Sequence, residues 1–123
     1  MSYSKSIGDW AEKLAGQHIQ QAGWHIVARN FHCRGGELDI IARQDNIISF
    51  IEVKFRRSQA MGGAINSITF QKQQRLGHAA QRFMQNHPQY YRLHGRFDLI
   101  CVYGRPKGQV ELQWLTNIFS LND

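Results

Sequence analysis

Three charged residues near the middle of the chain, Asp39, Glu52 and Lys54, have the types and spacing of a hydrolytic metal centre. Successive side chains of a β-strand alternate between its two faces, so Glu52 and Lys54 would lie on the same face. The opposite face of that strand would hold three apolar residues, Ile51, Val53 and Phe55. An otherwise apolar strand has no packing reason to hold two charges, which favours a functional role for them.

The turn between Asp39 and Glu52 decides whether their carboxylates can meet. Asp45-Asn46 is typical of a two-residue hairpin turn, in which residues 44 and 47 pair and paired residue numbers sum to 91. Asp39 would then lie opposite Glu52, with Cβ atoms about 5 Å apart. Adjacent carboxylates repel, and a hard divalent cation, also bound by the backbone carbonyl of Val53, would remove the repulsion. A three-residue turn would place the two acids on opposite faces.

Lys54 lies one pleat beyond Glu52 and could orient a water molecule or neutralise charge in a transition state. Two acids and a lysine around a metal suit in-line hydrolysis of a phosphodiester. No Ser or Cys stands in a pattern typical of an acyl-transfer nucleophile. The alternative is that Glu52 and Lys54 lie on a solvated sheet face and that Asp39 ends an edge strand.

The surrounding sequence predicts elements in the order α-β-β-β-α-β-β. Apolar residues recur at helical spacing from about Ile7 to Gln21, with Ser6 as the expected N-cap and Gly23 as the stop. Residue types predict strands over 24–31, 37–43, 47–55, 96–103 and 109–115, a Gly-containing loop over 60–64 and a second helix over 69–85. This order predicts an α/β fold, with a mixed central β-sheet and flanking helices.

The length and charge of the chain bound its class. Its 123 residues fit a single domain over residues 1–123. The net charge of +6 favours polyanions, either nucleic acid or an anionic membrane surface. Only Cys33 and Cys101 are present, with no export signal and no membrane-length apolar run. We therefore expect a cytoplasmic protein with free thiols and no membrane partner.

Six features, in order along the chain, resemble one family. They are Gly8-x-x-x-Glu12, Ala28-Arg29-Asn30, Arg34-Gly35-Gly36-Glu37-Leu38-Asp39, Ile51-Glu52-Val53-Lys54, Lys72 and Arg96-Phe97-Asp98. Together they span about residues 8–103 and resemble the YraN-type family of predicted endonucleases. That family is placed in the PD-(D/E)XK nuclease superfamily and is distantly similar to archaeal Holliday junction resolvases. Leu38 stands where the superfamily's name has proline, a variation that is common among its relatives.

The resemblance implies a restriction-endonuclease-like single domain that cleaves nucleic acid with Mg²⁺ or Mn²⁺. It implies Asp39 and Glu52 as metal ligands and Lys54 as the catalytic lysine. It also implies Glu12 as a third acid beside the metal. Without the resemblance, Glu12 would be interpreted as a solvated helix acid paired with a neighbouring lysine.

Basic residues near these segments are candidate nucleic-acid contacts, namely Arg34, Arg56, Arg57, Lys72, Arg75 and Arg82. On the second helix, Lys72, Arg75 and Arg82 follow one side. Such a stripe suits a phosphate track but is also typical of a solvated face. Asp98 is predicted to be structural, as a cap or as the partner of a nearby arginine.

Two functions follow from these patterns. The first is an endonuclease acting on DNA, with branched structures among its substrates. The second is a nucleic-acid-binding module that keeps the nuclease fold without turnover. The presence of Asp39, Glu52 and Lys54 together favours the first. The sequence does not separate DNA from RNA as the partner, and a homodimer would suit so small a chain gripping branched DNA.

Overall fold

The computed structural model describes residues 3–57 and 68–120. The predicted loop over 60–64 lies outside these residues. Two helices and five strands are present in the described part, and their order α-β-β-β-α-β-β confirms the predicted α/β fold. Their bounds are α1 (Tyr3–Gln21), β1 (His25–Cys33), β2 (Gly36–Gln44), β3 (Ile47–Arg56), α2 (Phe70–Gln85), β4 (His94–Gly104) and β5 (Val110–Leu115). A single 3-10 turn, Pro88–Tyr90, precedes β4.

The five strands form one mixed sheet in the order β1-β2-β3-β4-β5. Neighbouring strands are antiparallel except β3 and β4, which are parallel. A parallel pair needs a crossover connection, and α2 lies in the connection between these two strands. None of the helices within residues 3–57 and 68–120 is long and apolar enough to cross a membrane.

One helix covers each face of the sheet. On the first face, Ala11, Ala15 and Ile19 of α1 belong to a core that includes Ile40, Ala42, Ile51, Ile100 and Val102. On the second face, Leu76, Ala79, Ala80 and Phe83 of α2 belong to a core that includes Leu38, Ile48, Phe50, Leu99 and Cys101. The central strands β2, β3 and β4 are therefore covered on both sides over most of their length, whereas the edge strands β1 and β5 keep exposed side chains.

The ends of α1 differ in how well the sequence predicted them. The helix begins at Tyr3, so Ser6 lies inside it and the expected N-cap is wrong. Residues 3–6 contain no helix breaker, and an ion pair of 3.6 Å between Lys5 and Asp9, four residues apart, supports the first turns. The stop at Gly23 is confirmed, because Gly23 has a φ of +91° and Trp24 N–H donates to the Ile19 carbonyl.

The topology brings several chain segments to one end of the sheet, which we call the β3 end. The strands β1, β3 and β4 finish there, β2 and β5 begin there, and Lys72 in the first turn of α2 contacts Glu52 of β3. The helix α1 leads into β1 at the opposite end, so its N-terminal half also points towards the β3 end. Residues distant in sequence can therefore form one site at this end.

Asp98 links four segments of the structure through its fully buried carboxylate. It accepts hydrogen bonds from the Arg96 guanidinium, the Ser49 hydroxyl, the Trp114 indole and the Asn117 backbone N–H, at donor–acceptor distances of 2.6–3.2 Å. Every partner is a donor, so the buried acceptor oxygens of Asp98 are satisfied. The predicted structural role of Asp98 and its pairing with an arginine are confirmed.

Candidate active site

The β2–β3 ladder opens at Asp39. Its regular pairs run from Gln44 and Ile47 to Ile40 and Ile51, which confirms the two-residue turn and the register in which paired numbers sum to 91. Beyond that point the Val53 N–H donates to Asp39 Oδ2 at 2.8 Å instead of to a backbone carbonyl of β2. The Asp39 carboxylate thus takes the place of one backbone hydrogen bond between β2 and β3. The Val53 N–H holds it in position.

The carboxyl groups of Asp39 and Glu52 lie within hydrogen-bond reach of each other. Burial, the contact with Glu52 and its negative charge together raise the pKa of Asp39 to about 8, although the Val53 amide acts in the opposite direction. Glu52 is buried, with 4% of the residue exposed. Two acids so placed retain a proton between them or need a cation, and this is the arrangement that the sequence predicted.

Lys72 lies beside the same acids and is not a free surface cation. Its Nζ lies 2.9 Å from Glu52 Oε2, and only 26% of its side chain is exposed. Thr69 caps α2 by accepting the Lys72 N–H at 3.1 Å, which places Lys72 in the first turn of the helix, near the β3 end. The sequence left the stripe of Lys72, Arg75 and Arg82 open between a phosphate track and a solvated face, and the pairing with Glu52 contradicts the solvated alternative for Lys72.

Lys54 and Glu12 complete the charged cluster. Lys54 is half-buried, and on β3 it pairs in register with Cys101 of β4. Burial raises the pKa of the Cys101 thiol. Glu12 on α1 is half-buried, and its pKa is raised by burial and then by the charges of Asp9, Glu52 and Glu37. The structure thus brings Glu12 near Glu52, as the sequence predicted.

The donor set of this cluster suits a magnesium ion better than a zinc ion. Within residues 3–57 and 68–120, no group of three or more His, Cys, Asp or Glu side chains is arranged to hold a metal. Mg²⁺ is commonly bound by one or two carboxylates, with water and substrate phosphate completing its shell. The Asp39 and Glu52 carboxylates, with the adjacent Val53 carbonyl, fit that pattern.

A break in strand alternation at Asp39 directs the neighbouring residues to opposite faces. Leu38 packs in the α2-side core and Ile40 in the α1-side core, although residues two apart in a regular strand share a face. The partner strand breaks at the same place, because Asn30 lies opposite Asp39 with a φ of +51°. Asparagine tolerates this left-handed conformation, and sequence reasoning did not single out Asn30 as part of the site.

The family of the chain follows from comparison with known proteins. The profile of the uncharacterised protein family UPF0102 matches residues 11–102. The chain belongs to the UPF0102 family. The UPF0102 protein of Saccharophagus degradans is 41% identical over 123 residues, covering 100% of both chains. That of Stutzerimonas stutzeri is 40% identical over 119 residues, covering 97% of this chain and 98% of its own. These names state no activity, so a function for this UPF0102 protein depends on its geometry.

The remaining predicted cations of this UPF0102 protein occupy different places. Arg34 is exposed in the β1–β2 turn, and Arg56 and Arg57 are exposed where β3 ends. All three lie at the β3 end. Arg75 and Arg82 are exposed on α2, and the Arg75 carbonyl packs so closely on Gly36 that a Cβ there would collide with it.

Two further cations at the β3 end escaped the sequence reasoning. Arg105 and Lys107 are exposed in the β4–β5 turn, and the register that pairs Arg56 with Tyr103 places this turn beside the end of β3. Arg57 and Arg105 line a common cleft of about 620 Å³. No local signal could have found this arrangement, because Arg105 lies 48 positions after Arg57 in the sequence.

Replacing Asp39 with Asn should stabilise the metal-free protein at pH 8. Asn can still accept the Val53 N–H and can donate to Glu52, without the second charge. Because the folded pKa of Asp39 is about 8, above the ordinary value of 3.8, the wild type should lose stability as pH rises from about 4 to about 8. Over this range the free energy of unfolding should fall by at least about 1 kcal/mol less in Asp39→Asn than in the wild type. Parallel Tm profiles of the two proteins in chelator between pH 5 and pH 8 would contradict this.

Proposed function

We propose that this UPF0102 protein is a metal-dependent nuclease of the PD-(D/E)XK type that hydrolyses phosphodiester bonds in nucleic acid, with DNA as the preferred substrate. The observation that supports it most is the opening of the β2–β3 ladder at Asp39. There two carboxyl groups and a stretch of β3 that is no longer paired with β2 meet beside Lys54 and Lys72. A merely structural cluster of buried acids would be expected to be fully paired, as Asp98 is.

The chain's own residues have distinct roles in this proposal. Asp39 and Glu52 would hold Mg²⁺ or Mn²⁺, which when bound polarises the phosphoryl oxygen and lowers the pKa of a bound water. Lys54 lies on the Glu52 face of β3 and would position the attacking water or stabilise charge on the phosphate. Lys72 offsets the charge of Glu52 in the absence of a cation, at 2.9 Å. If Glu52 held the cation instead, the Lys72 ammonium would be free to contact the substrate phosphate.

The preference for nucleic acid rests on the charge around this cluster. The β3 end has five exposed cations on three segments, namely Arg34, Arg56, Arg57, Arg105 and Lys107. Phosphate binding by such cations releases condensed counterions, which drives association with a polyanion. A membrane surface would need the same charges but would leave the acid pair without a purpose.

Cleavage of defined substrates tests the proposal directly. The protein would be incubated with single-stranded, duplex, flap and four-way DNA, and with matched RNA, in Mg²⁺ or Mn²⁺. We expect metal-dependent products that disappear in chelator. If every substrate remains intact with both metals but is still bound, the chain is a binding module that keeps the nuclease fold without turnover.

The cations of the β3 end should dominate the salt dependence of binding. Arg105→Gln combined with Lys107→Gln should reduce the slope of log affinity against log salt concentration by about 2, since each phosphate contact contributes about 1. Arg43→Gln combined with Arg92→Gln removes the same charge from exposed positions at the opposite end of the sheet and is the matched control. Equal slopes for the two double variants would show that net charge alone is responsible.

A further inference from the structure

The Arg29 guanidinium packs against α1 at Gly16, where any larger residue would collide with it. Gly16 is buried in the helix, and a Cβ at this position would overlap the Arg29 guanidinium, whose Nη2 and Cζ would lie 3.0 and 3.1 Å from it. Glycine in the middle of a helix is less favourable than alanine. Glycine at position 16 therefore lowers the stability of the helix at the point where the Arg29 guanidinium lies against it.

Arg29 borders a cleft that leads from the acid pair. The cleft has a volume of about 440 Å³ between α1 and the β1–β2 edge, and Asp39 is part of its wall. Its other polar lining residues include Lys13, Gln17, Gln20, Arg29 and Asn30. Within residues 5–57 and 68–120, neither Lys13 nor Arg29 forms an ion pair with an acid. Two cations and three amide groups are thus available to a ligand.

We propose that this cleft is a subsite for one unpaired nucleotide next to the scissile phosphodiester, with Arg29 binding its phosphate. The inference rests on the proposed nuclease function and specifies its substrate. Glu12, on the same cleft wall, and Gly16 lie one helical turn apart, a rise of about 6 Å along α1. That rise is comparable to the spacing of neighbouring phosphates in one strand. The Arg29 guanidinium can bind two phosphate oxygens at once.

The amide groups explain why the nucleotide should be unpaired. Gln17, Gln20 and Asn30 each present a donor and an acceptor, as the pairing edge of a base does. In a duplex that edge is occupied and the base is stacked, so a whole nucleotide can enter a cleft only from a single strand, a flap or a branch point. The volume of the cleft falls within the range of small-ligand sites.

The acids of the cleft do not exclude a phosphate from its Arg29 side. Asp9 is already paired with Lys5 at 3.6 Å, and Asp39 and Glu12 both lie near Glu52, where the proposed cation would bind. Lys13, Gln17 and Gln20 follow Asp9 along α1, on the part of the helix that includes Gly16 and the adjacent Arg29 guanidinium. Negative charge is therefore concentrated at the acid-pair end and positive charge near the Arg29 end.

A glycine-to-alanine pair of variants tests the subsite without changing any charge. Gly16→Ala should displace the Arg29 head, whereas Gly8→Ala on the same helix meets nothing within 4 Å and is the control. The affinity of a labelled single-stranded oligothymidylate would be measured with Ca²⁺ in place of Mg²⁺, and gels would verify that the probe stays intact. We expect Gly16→Ala and Arg29→Gln each to weaken binding by about 10-fold, Gly8→Ala to match the wild type, and Arg29→Lys to retain part of the affinity.

The outcomes separate this inference from the proposed function. Wild-type affinity in both Gly16→Ala and Arg29→Gln, with unchanged thermal melting, overturns the subsite even if the wild type cleaves DNA. Equal losses of affinity for blunt duplex and single strand overturn its selectivity for an unpaired nucleotide. Arg29-dependent binding by a protein that cleaves nothing would leave the subsite standing and remove the nuclease proposal. The atoms nearest to a Cβ at position 16 belong to the flexible Arg29 head, so we expect Gly16→Ala to fold normally.

Discussion

Asp39→Asn and Glu52→Gln should each reduce metal-dependent cleavage by roughly 10³-fold or more, because each removes a charged oxygen ligand from the proposed metal centre. Nucleic-acid binding should stay the same or strengthen, since each change removes one negative charge facing the incoming phosphate. Lys54→Ala should also stop turnover but leave metal binding in place, because ammonium is not a ligand for Mg²⁺. Single-turnover rates and affinities measured on the same substrate would separate these effects.

Glu37→Gln is the matched control for this series. Glu37 lies on the same strand as Asp39 and loses the same charge, but its side chain is 47% exposed and pairs with His32. We expect wild-type rates from Glu37→Gln. Cleavage that persists undiminished in Glu52→Gln would place the active site elsewhere or reveal a contaminating nuclease.

Asp98→Ala should be the most destabilising single change on the sheet, by about 3–5 kcal/mol. It leaves the Arg96 guanidinium, only 18% exposed, without its counter-charge, and it removes the acceptor of the Ser49 hydroxyl and the Trp114 indole. For a domain of this size the loss corresponds to a fall in Tm of roughly 10–20 °C. Thermal melting followed by circular dichroism would measure it.

Asp9→Ala provides the control for Asp98→Ala. Asp9 also belongs to an ion pair, with Lys5, but both side chains are more than half exposed, so its loss should cost less than about 1 kcal/mol. Combining Arg96→Met with Asp98→Leu should recover part of the lost stability, because no buried charge then remains unpaired. If Asp98→Ala has the same Tm as the wild type, the buried hydrogen-bond network of Asp98 contributes nothing to stability.

Local rules in the sequence determined much of this site in advance. The turn Asp45-Asn46 needs only two residues, so the register of β2 against β3 and the approach of Asp39 to Glu52 could be deduced from spacing. Side-chain alternation placed Glu52 and Lys54 together on one face of β3, opposite Ile51, Val53 and Phe55. The extent of α2 was predicted as residues 69–85 and is observed as Phe70–Gln85, with Thr69 as its N-cap.

Only the tertiary structure decided which charges meet across elements. Helical spacing placed Lys72 in a cationic stripe, either a phosphate track or a solvated face, but only the fold shows that it lies against Glu52, twenty positions earlier in the chain. The break in side-chain alternation at Asp39 depends on the left-handed backbone of Asn30 in the neighbouring strand. The position of the Arg29 guanidinium depends on Gly16 of α1. Periodicity and turn chemistry act over a few residues, whereas these contacts depend on how whole elements pack. The sequence by itself therefore determined the acid pair, and packing decided what surrounds it.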